Sequence, residues 1–313
     1  MSRSPLDAPS GAGSADFAPI VCAGHPRDMG LAQGEALRDV IRAAVVAAGL
    51  PSRRSRWPSL RPVVSGPLRG SGPGRELFRH FAHQAERLEG LAQGADLPLD
   101  SLLALQLRIG AGGAGGPGAP RVASPSGWIV RESRPVVGFR SLERTLAWLV
   151  PAVAGINEAG LALIAPLSRA AELATVHGAP PILLVQDCLA RFENVEGALD
   201  WCRKRPVEGE RTITLADAAG ARGCVRFRGR VREVEAAQHD ESGLIRGGLV
   251  DGAGDAEAGG VALDPVGRRL VVEDIGVVSS GGVSGAAEAE AASASAIREF
   301  RLAPLPPNGA HAT

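Results

Sequence analysis

The sequence has no tyrosine, one lysine (Lys204) and only four cysteines among its 313 residues. The cysteines, at positions 22, 188, 202 and 224, show no CxxC spacing and no accompanying pair of histidines, which argues against a zinc site or a disulfide framework. No run of about 18 apolar residues occurs, so no membrane-spanning helix is expected. The Gly-Lys-Ser/Thr signature of a phosphate loop is missing, and so is the Gly-x-Ser-x-Gly elbow of the α/β-hydrolases. Net charge is absent as well. The 34 basic residues balance 34 acidic ones, and no global field draws the chain to nucleic acid or to an anionic membrane. The first 17 residues lack the continuous apolar segment of a secretory leader. A cytoplasmic protein with no nucleic-acid or membrane partner is the simplest expectation.

What is present is an ordinary globular composition, 45% apolar and 22% charged. Residues 1–20 read as a disordered start and 306–313 as a tail. Between them, 21–305 reads as one domain in three stretches: a helical part (21–109), a Gly-rich linker (110–125) and a sheet-rich part (126–305). In the helical part, Met29, Leu31, Leu37, Val40, Ile41 and Val45 form a helical stripe, and Leu77, Phe81, Leu88 and Leu91 form a second. Pro98 and Asp100 open a third helix. His80 and His83 stand three apart with no further ligand at suitable spacing, so they read as surface histidines and no metal or cofactor is expected. The run GAGGAGGPGAP breaks all periodicity.

After the linker the apolar runs WIV, RPVVGF, LAWLVPAVAGI and GLALIAP predict strands. Asn157 shapes the turn between the last two, and Asp217 shapes a hairpin within RTITLADAAGARGCVRFRG. Two helices lie between, the second capped by Asn194. VREVEA continues the sheet, VALDPVGRRLVVED makes a further hairpin, and REFRLAPL offers a last strand. Trp128 and Trp148 read as core. Cys188, Cys202 and Cys224 read as buried thiols, whereas Cys22, before the first helix, reads as the thiol with some exposure. Clustered strands with a helical insert predict an α+β fold with a large, mostly antiparallel sheet.

Several stretches, in order, resemble one family: the acyl-coenzyme A:6-aminopenicillanic acid acyltransferase-like proteins, or peptidase family C45. They are GHPRDMGLAQGEAL (24–37), ERLEGLAQGADLPLDSLLALQLR (86–108), WLVPAVAGINEAGLAL (148–163), TITLADAAG (212–220) and VALDPVGRRLVV (261–272). The resemblance implies an N-terminal-nucleophile hydrolase fold, a four-layer αββα sandwich of two antiparallel sheets between helices. It also implies a precursor that cuts itself before a cysteine. That residue then attacks an amide or thioester carbonyl, with its own α-amino group, titrating near pH ~8, as base.

In this sequence the nucleophile's place falls at ASPSGWIV, and no cysteine lies between Cys22 and Cys188. Ser126 is the candidate nucleophile. Cutting before Ser124 would put Pro125, which cannot donate to a ladder, second in a central strand. By the same resemblance, Arg140 and Glu143 in GFRSLE would orient substrate, and Thr212 stands where the family has an oxyanion-holding asparagine. Gln238-His239-Asp240-Glu241 replaces the family's later polar motif. Two readings follow. One is a diverged protein that keeps the fold, has lost catalysis and serves in binding or as a scaffold. The other is an active amide hydrolase or acyltransferase that takes a small acyl-amide or acyl-thioester ligand. A distinct α+β hydrolase with a scattered triad is a third class, lowered by the missing elbow.

Overall fold

The first apolar stripe folds as two helices, not one. Pro26 opens α1 (Pro26–Ala36), where a missing N–H leaves no bond unmade, and the His25 backbone N–H donates to Asp28 Oδ2 at 3.2 Å. The helix ends at Leu37 and α2 (Arg38–Ala47) starts afresh. The second stripe divides in the same way at Phe81, into α3 (Gly72–His80) and α4 (Ala82–Gly94); α5 (Leu99–Gly110) follows Pro98. The computed structural model describes residues 18–52, 72–110, 127–168, 178–237, 245–248, 250–251, 260–274 and 296–302. Ser124, Ser126, most of the Gly-rich run, the 238–241 motif and the 284–295 stretch lie outside the described residues.

A strand the periodicity did not predict, β1 (Ile20–Gly24), precedes α1. Beyond the linker come β2 (Trp128–Pro135), β3 (Ser141–Leu146), β4 (Ala154–Asn157), β5 (Ala162–Ile164) and β6 (Leu167–Ser168). The expected helices follow as α6 (Leu183–Arg191) and α7 (Val195–Lys204), with Asn194 Oδ1 accepting from the Gly197 N–H at 2.9 Å. Then come β7 (Arg211–Ala216), β8 (Arg222–Arg228), β9 (Val231–Ala237), β10 (Ile245–Gly248), β11 (Val250–Asp251), β12 (Gly260–Asp264), β13 (Arg269–Asp274) and β14 (Ala296–Arg301).

Eight strands form one sheet in the order β1-β2-β3-β4-β5-β7-β8-β9, antiparallel except for the β1–β2 pair. Four more form a second sheet, β10-β12-β13-β14, and β6 pairs with β11. Register divides the large sheet's side chains between two faces, because directly paired residues point the same way. Arg131, Glu143, Gly155, Leu163, Leu215 and Gly223 are paired in one row. A Cβ on Gly155 would meet Leu189 of α6, and one on Gly223 would meet Leu199 of α7, so this face lies under the helices. Leu142, Ile156 and Ala162 point to the opposite face, where the small sheet packs across β4 and β5. The fold is thus mixed α+β, with helices, a large sheet and a small sheet in layers. No second helical layer occurs among the described residues.

Helices α1 and α4 cross at unusual proximity. A Cβ on Gly30 would sit 1.9 Å from the Arg87 carbonyl oxygen, and one on Gly90 1.9 Å from that of Arg27. One turn on, Gly34 meets the Leu91 carbonyl oxygen at 2.6 Å and Gly94 that of Leu31 at 2.4 Å. The partners advance together, so the helices run parallel with Gly-x-x-x-Gly on each inner face. Only glycine lets two backbones come this near.

The strand expected within LAWLVPAVAGI is real only from Ala154 onward. Residues 147–153 are a buried loop instead, and β3 forms from SLERTL, which the sequence reading passed over. A buried loop must find partners for its carbonyls. Here side chains supply them. Ala147 O accepts from Gln33, Trp148 O from Gln106, Leu149 O from Gln33 and Arg131, Val150 O from Arg131, and Pro151 O from Thr145.

Candidate functional site

Of the four candidate site residues, three are described, and the fold does not bring them together. Glu143 lies on β3 facing the helices, with no solvent exposure. Its Oε2 receives Arg131 Nε at 2.5 Å, and its Oε1 receives Ser141 Oγ at 2.6 Å and Gln186 Nε2 at 2.8 Å. Burial alone would push the Glu143 carboxyl up. The Arg131 and Arg87 charges, with the Ser141 and Gln186 hydrogen bonds, outweigh that and hold it at about 2. Such a group is a permanent anion near neutral pH, without a proton to give and sealed from any ligand.

Arg131 is buried as completely as Glu143. Nη1 donates to Gln33 Oε1 at 2.7 Å and Leu149 O at 3.1 Å; Nη2 donates to Val150 O at 2.5 Å and Gln186 Oε1 at 3.0 Å. With Nε on Glu143, all five donors of the guanidinium are used. Arg87, from α4, donates through Nη2 to Ser133 Oγ at 3.1 Å. Burial, then the Arg131 charge, lowers the Arg87 pKa to about 10. The cluster joins α1, α4 and α6 to β2, β3 and the loop at 147–153. The sequence reading did not single out Arg131, Gln33, Arg87 or Gln186. The available signal was a run of four polar residues, Arg131-Glu132-Ser133-Arg134, inside a strand that opens with the apolar Trp128-Ile129-Val130.

Arg140 and Thr212 stand elsewhere. Arg140 Nε donates to Glu158 Oε2 at 2.8 Å, and Glu158 Oε1 accepts the Arg140 backbone N–H at 3.0 Å. Glu132, on the face opposite Arg131, lies 4.0 Å from Arg140 Nη1. Thr212 is half-buried on β7, three strands beyond β3 in the sheet, and pairs with Arg226. The described chain resumes at Gly127, whose carbonyl accepts from Ala147 N at 2.7 Å, immediately before β2.

The turn residues hold their expected places. Asn157 Oδ1 accepts from the N–H groups of Ala159 (3.1 Å) and Leu161 (2.9 Å), and Nδ2 donates to Leu189 O (2.9 Å) and Phe192 O (2.7 Å). Asp217 Oδ1 accepts from Ala219 and Ala221 in its hairpin, and Oδ2 accepts the Val195 N–H at the start of α7. The thiols correct the reading in part. Cys22 is fully buried on β1 rather than partly exposed, and Cys224 is only half-buried. Cys188 and Cys202 are buried with Sγ atoms 3.8 Å apart; that contact, then burial, pushes the Cys188 thiol well above its usual range. His80 pairs with Glu76 at 3.1 Å and His83 with the buried Asp187 at 2.6 Å. Among the described residues no cluster of His, Cys, Asp and Glu could hold a metal ion, and no helix is long and apolar enough to cross a membrane.

The class defined by this architecture is a mixed α+β protein, helices on one face of a large sheet and a small sheet on the other. No protein-family model matches the chain, and no curated protein does. Among solved structures, penicillin V acylase from Agrobacterium tumefaciens is similar at 23% identity with a TM-score of 0.27, over 31% of this chain and 33% of that one. The chain thus spans about a third of that acylase's length.

Proposed function

We propose that this chain, over residues 21–305, is a diverged relative of the C45 acyltransferase-like proteins, built on the N-terminal-nucleophile hydrolase plan, that has given up hydrolysis and serves as a cytoplasmic binding or scaffold protein. The ordered set of motif resemblances and the α+β architecture support the plan. One observation carries the loss of catalysis: Glu143, the carboxylate the resemblance assigns to substrate, is wholly buried and committed to Arg131. Arg140 is engaged with Glu158, so the two do not converge. In this reading the carboxylate's work is structural, anchoring the guanidinium that satisfies the buried loop.

The second reading, an amide hydrolase or acyltransferase with Ser126 as N-terminal nucleophile, is favoured by the start of β2 at Trp128, two residues beyond that serine. Intact mass of the freshly purified chain, beside a Ser126→Ala variant, separates the two. A single uncut species of 32.1 kDa in both is expected. Two fragments divided before Ser126, absent in the variant, would overturn the first reading and establish the second.

A further inference from the structure

Far from β2, a cavity of about 540 Å3 opens between the start of α3 and β9, lined among others by Gly72, Arg75, Glu76, Glu208, Arg230 and Arg232. In the order of the large sheet β9 stands six strands beyond β2, roughly 30 Å at ordinary strand spacing. The floor is held by backbone pairing: Ala179 bridges Val207, and the Glu208 N–H donates to Ala179 O at 2.9 Å. Three guanidiniums meet here against two carboxylates, and both carboxylates are already engaged. Glu76 contacts His80 Nε2 at 3.1 Å and Arg75 Nε at 3.3 Å; Glu208 contacts Arg230 Nε at 3.3 Å. Arg75 and Arg230 are thus met at Nε, while both side chains are mostly exposed. Arg232 is fixed by Nη2 on Arg205 O at 2.6 Å and Nη1 on Arg230 O at 3.4 Å, and its Nε is buried with no hydrogen-bond partner. The first turn of α3 adds no acidic residue to offset them.

We infer that this cavity binds a small organic anion, its carboxylate or phosphate held between Arg75, Arg230 and Arg232 and its apolar part against the Pro206 ring. The volume lies within the range of small-molecule sites, and planar guanidiniums suit oxyanions that accept paired hydrogen bonds. The site stands whether or not the chain cuts before Ser126, so its failure and that of the functional reading are separable.

The test is thermal unfolding of the full chain with inorganic phosphate, with hexanoate, and with sodium chloride at matched ionic strength. A saturable rise of about 2 °C with phosphate or hexanoate over chloride is expected, and the probe that works names the headgroup. The rise should vanish in Arg75→Gln/Arg230→Gln and persist in Arg226→Gln, whose exposed pair with Glu235 lies outside the cavity. No rise with either probe, or an equal rise in the double variant, overturns the inference.

Discussion

At the scale of the residue, the Arg131–Glu143 pair dominates. Neither group has solvent to fall back on, so removing one partner strands the other. Glu143→Gln is expected to lower stability by about 3–5 kcal/mol in urea unfolding, the range seen when a buried pair is broken. Replacing both by apolar residues should not rescue the fold fully, because the carbonyls of Leu149 and Val150 would lose their donor as well. The pH dependence has a definite sign. A free glutamate titrates near ~4.3 and the folded Glu143 at about 2, so its stabilisation is complete above pH ~4.3 and is lost as pH falls toward 2. The stability difference between wild type and Glu143→Gln should therefore narrow across that window; a constant difference would rule out the depressed carboxyl. Thiol titration gives a second check. In the native protein a water-soluble disulfide reagent should react with Cys224 alone, and with four thiols after denaturation. Rapid labelling of Cys22 would contradict its burial. Asn157, Asp217 and Asn194 were legible as turn and cap residues because each has bonds to backbone two to four residues away. The bonds of Asn157 to Leu189 and Phe192, and of Asp217 to Val195, were not legible. Arg131 and Gln33 were not, because they meet across 98 positions.

At the scale of the element, the α1–α4 crossing reverses an ordinary rule. In an isolated helix, alanine outranks glycine by about 1 kcal/mol. Here Gly90→Ala, whose Cβ would strike the Arg27 carbonyl, is expected to destabilise by about 2–3 kcal/mol as the helices are forced apart. A neutral or stabilising outcome in urea unfolding would show that the helices do not approach so closely. The same displacement would shift Arg87, which leaves α4 beside the contact, and so reach the buried cluster. Hydrophobic periodicity located every one of these helices but joined α1 to α2 and α3 to α4, since a break at Leu37 or Phe81 leaves the apolar stripe intact. The strand error at 147–153 has a related cause. An apolar run announces burial and not conformation, and whether buried backbone is met by a neighbouring strand or by Gln33, Gln106 and Arg131 is invisible locally.

At the scale of the whole molecule, the prediction is an uncut 32.1 kDa chain whose mass is altered by Ser126→Ala only by the lost oxygen. The helices lie behind the large sheet and the small sheet in front of it. The residues that the family resemblance groups into one site are divided accordingly: Glu143 faces the helices, while Arg140 pairs with Glu158 and approaches Glu132 on the other side. Arg140 stands one residue before β3 and three before Glu143, an odd separation, so pleat alternation alone sends the two side chains to opposite faces; register decides only which face meets the helices.

The α+β class, the helical segments and the hairpins turning at Asn157, Asp217 and Pro265-Val266-Gly267 follow from the sequence by itself, because amphipathic period, Gly and Asn turn chemistry and helix caps act over a few residues. What Glu143 does, how near α1 and α4 stand, and which arginines share a cavity with Glu76 and Glu208 were decided only in the tertiary structure. Those outcomes depend on register and on contacts between segments distant in sequence, where charge and burial are set by neighbours that no local pattern names.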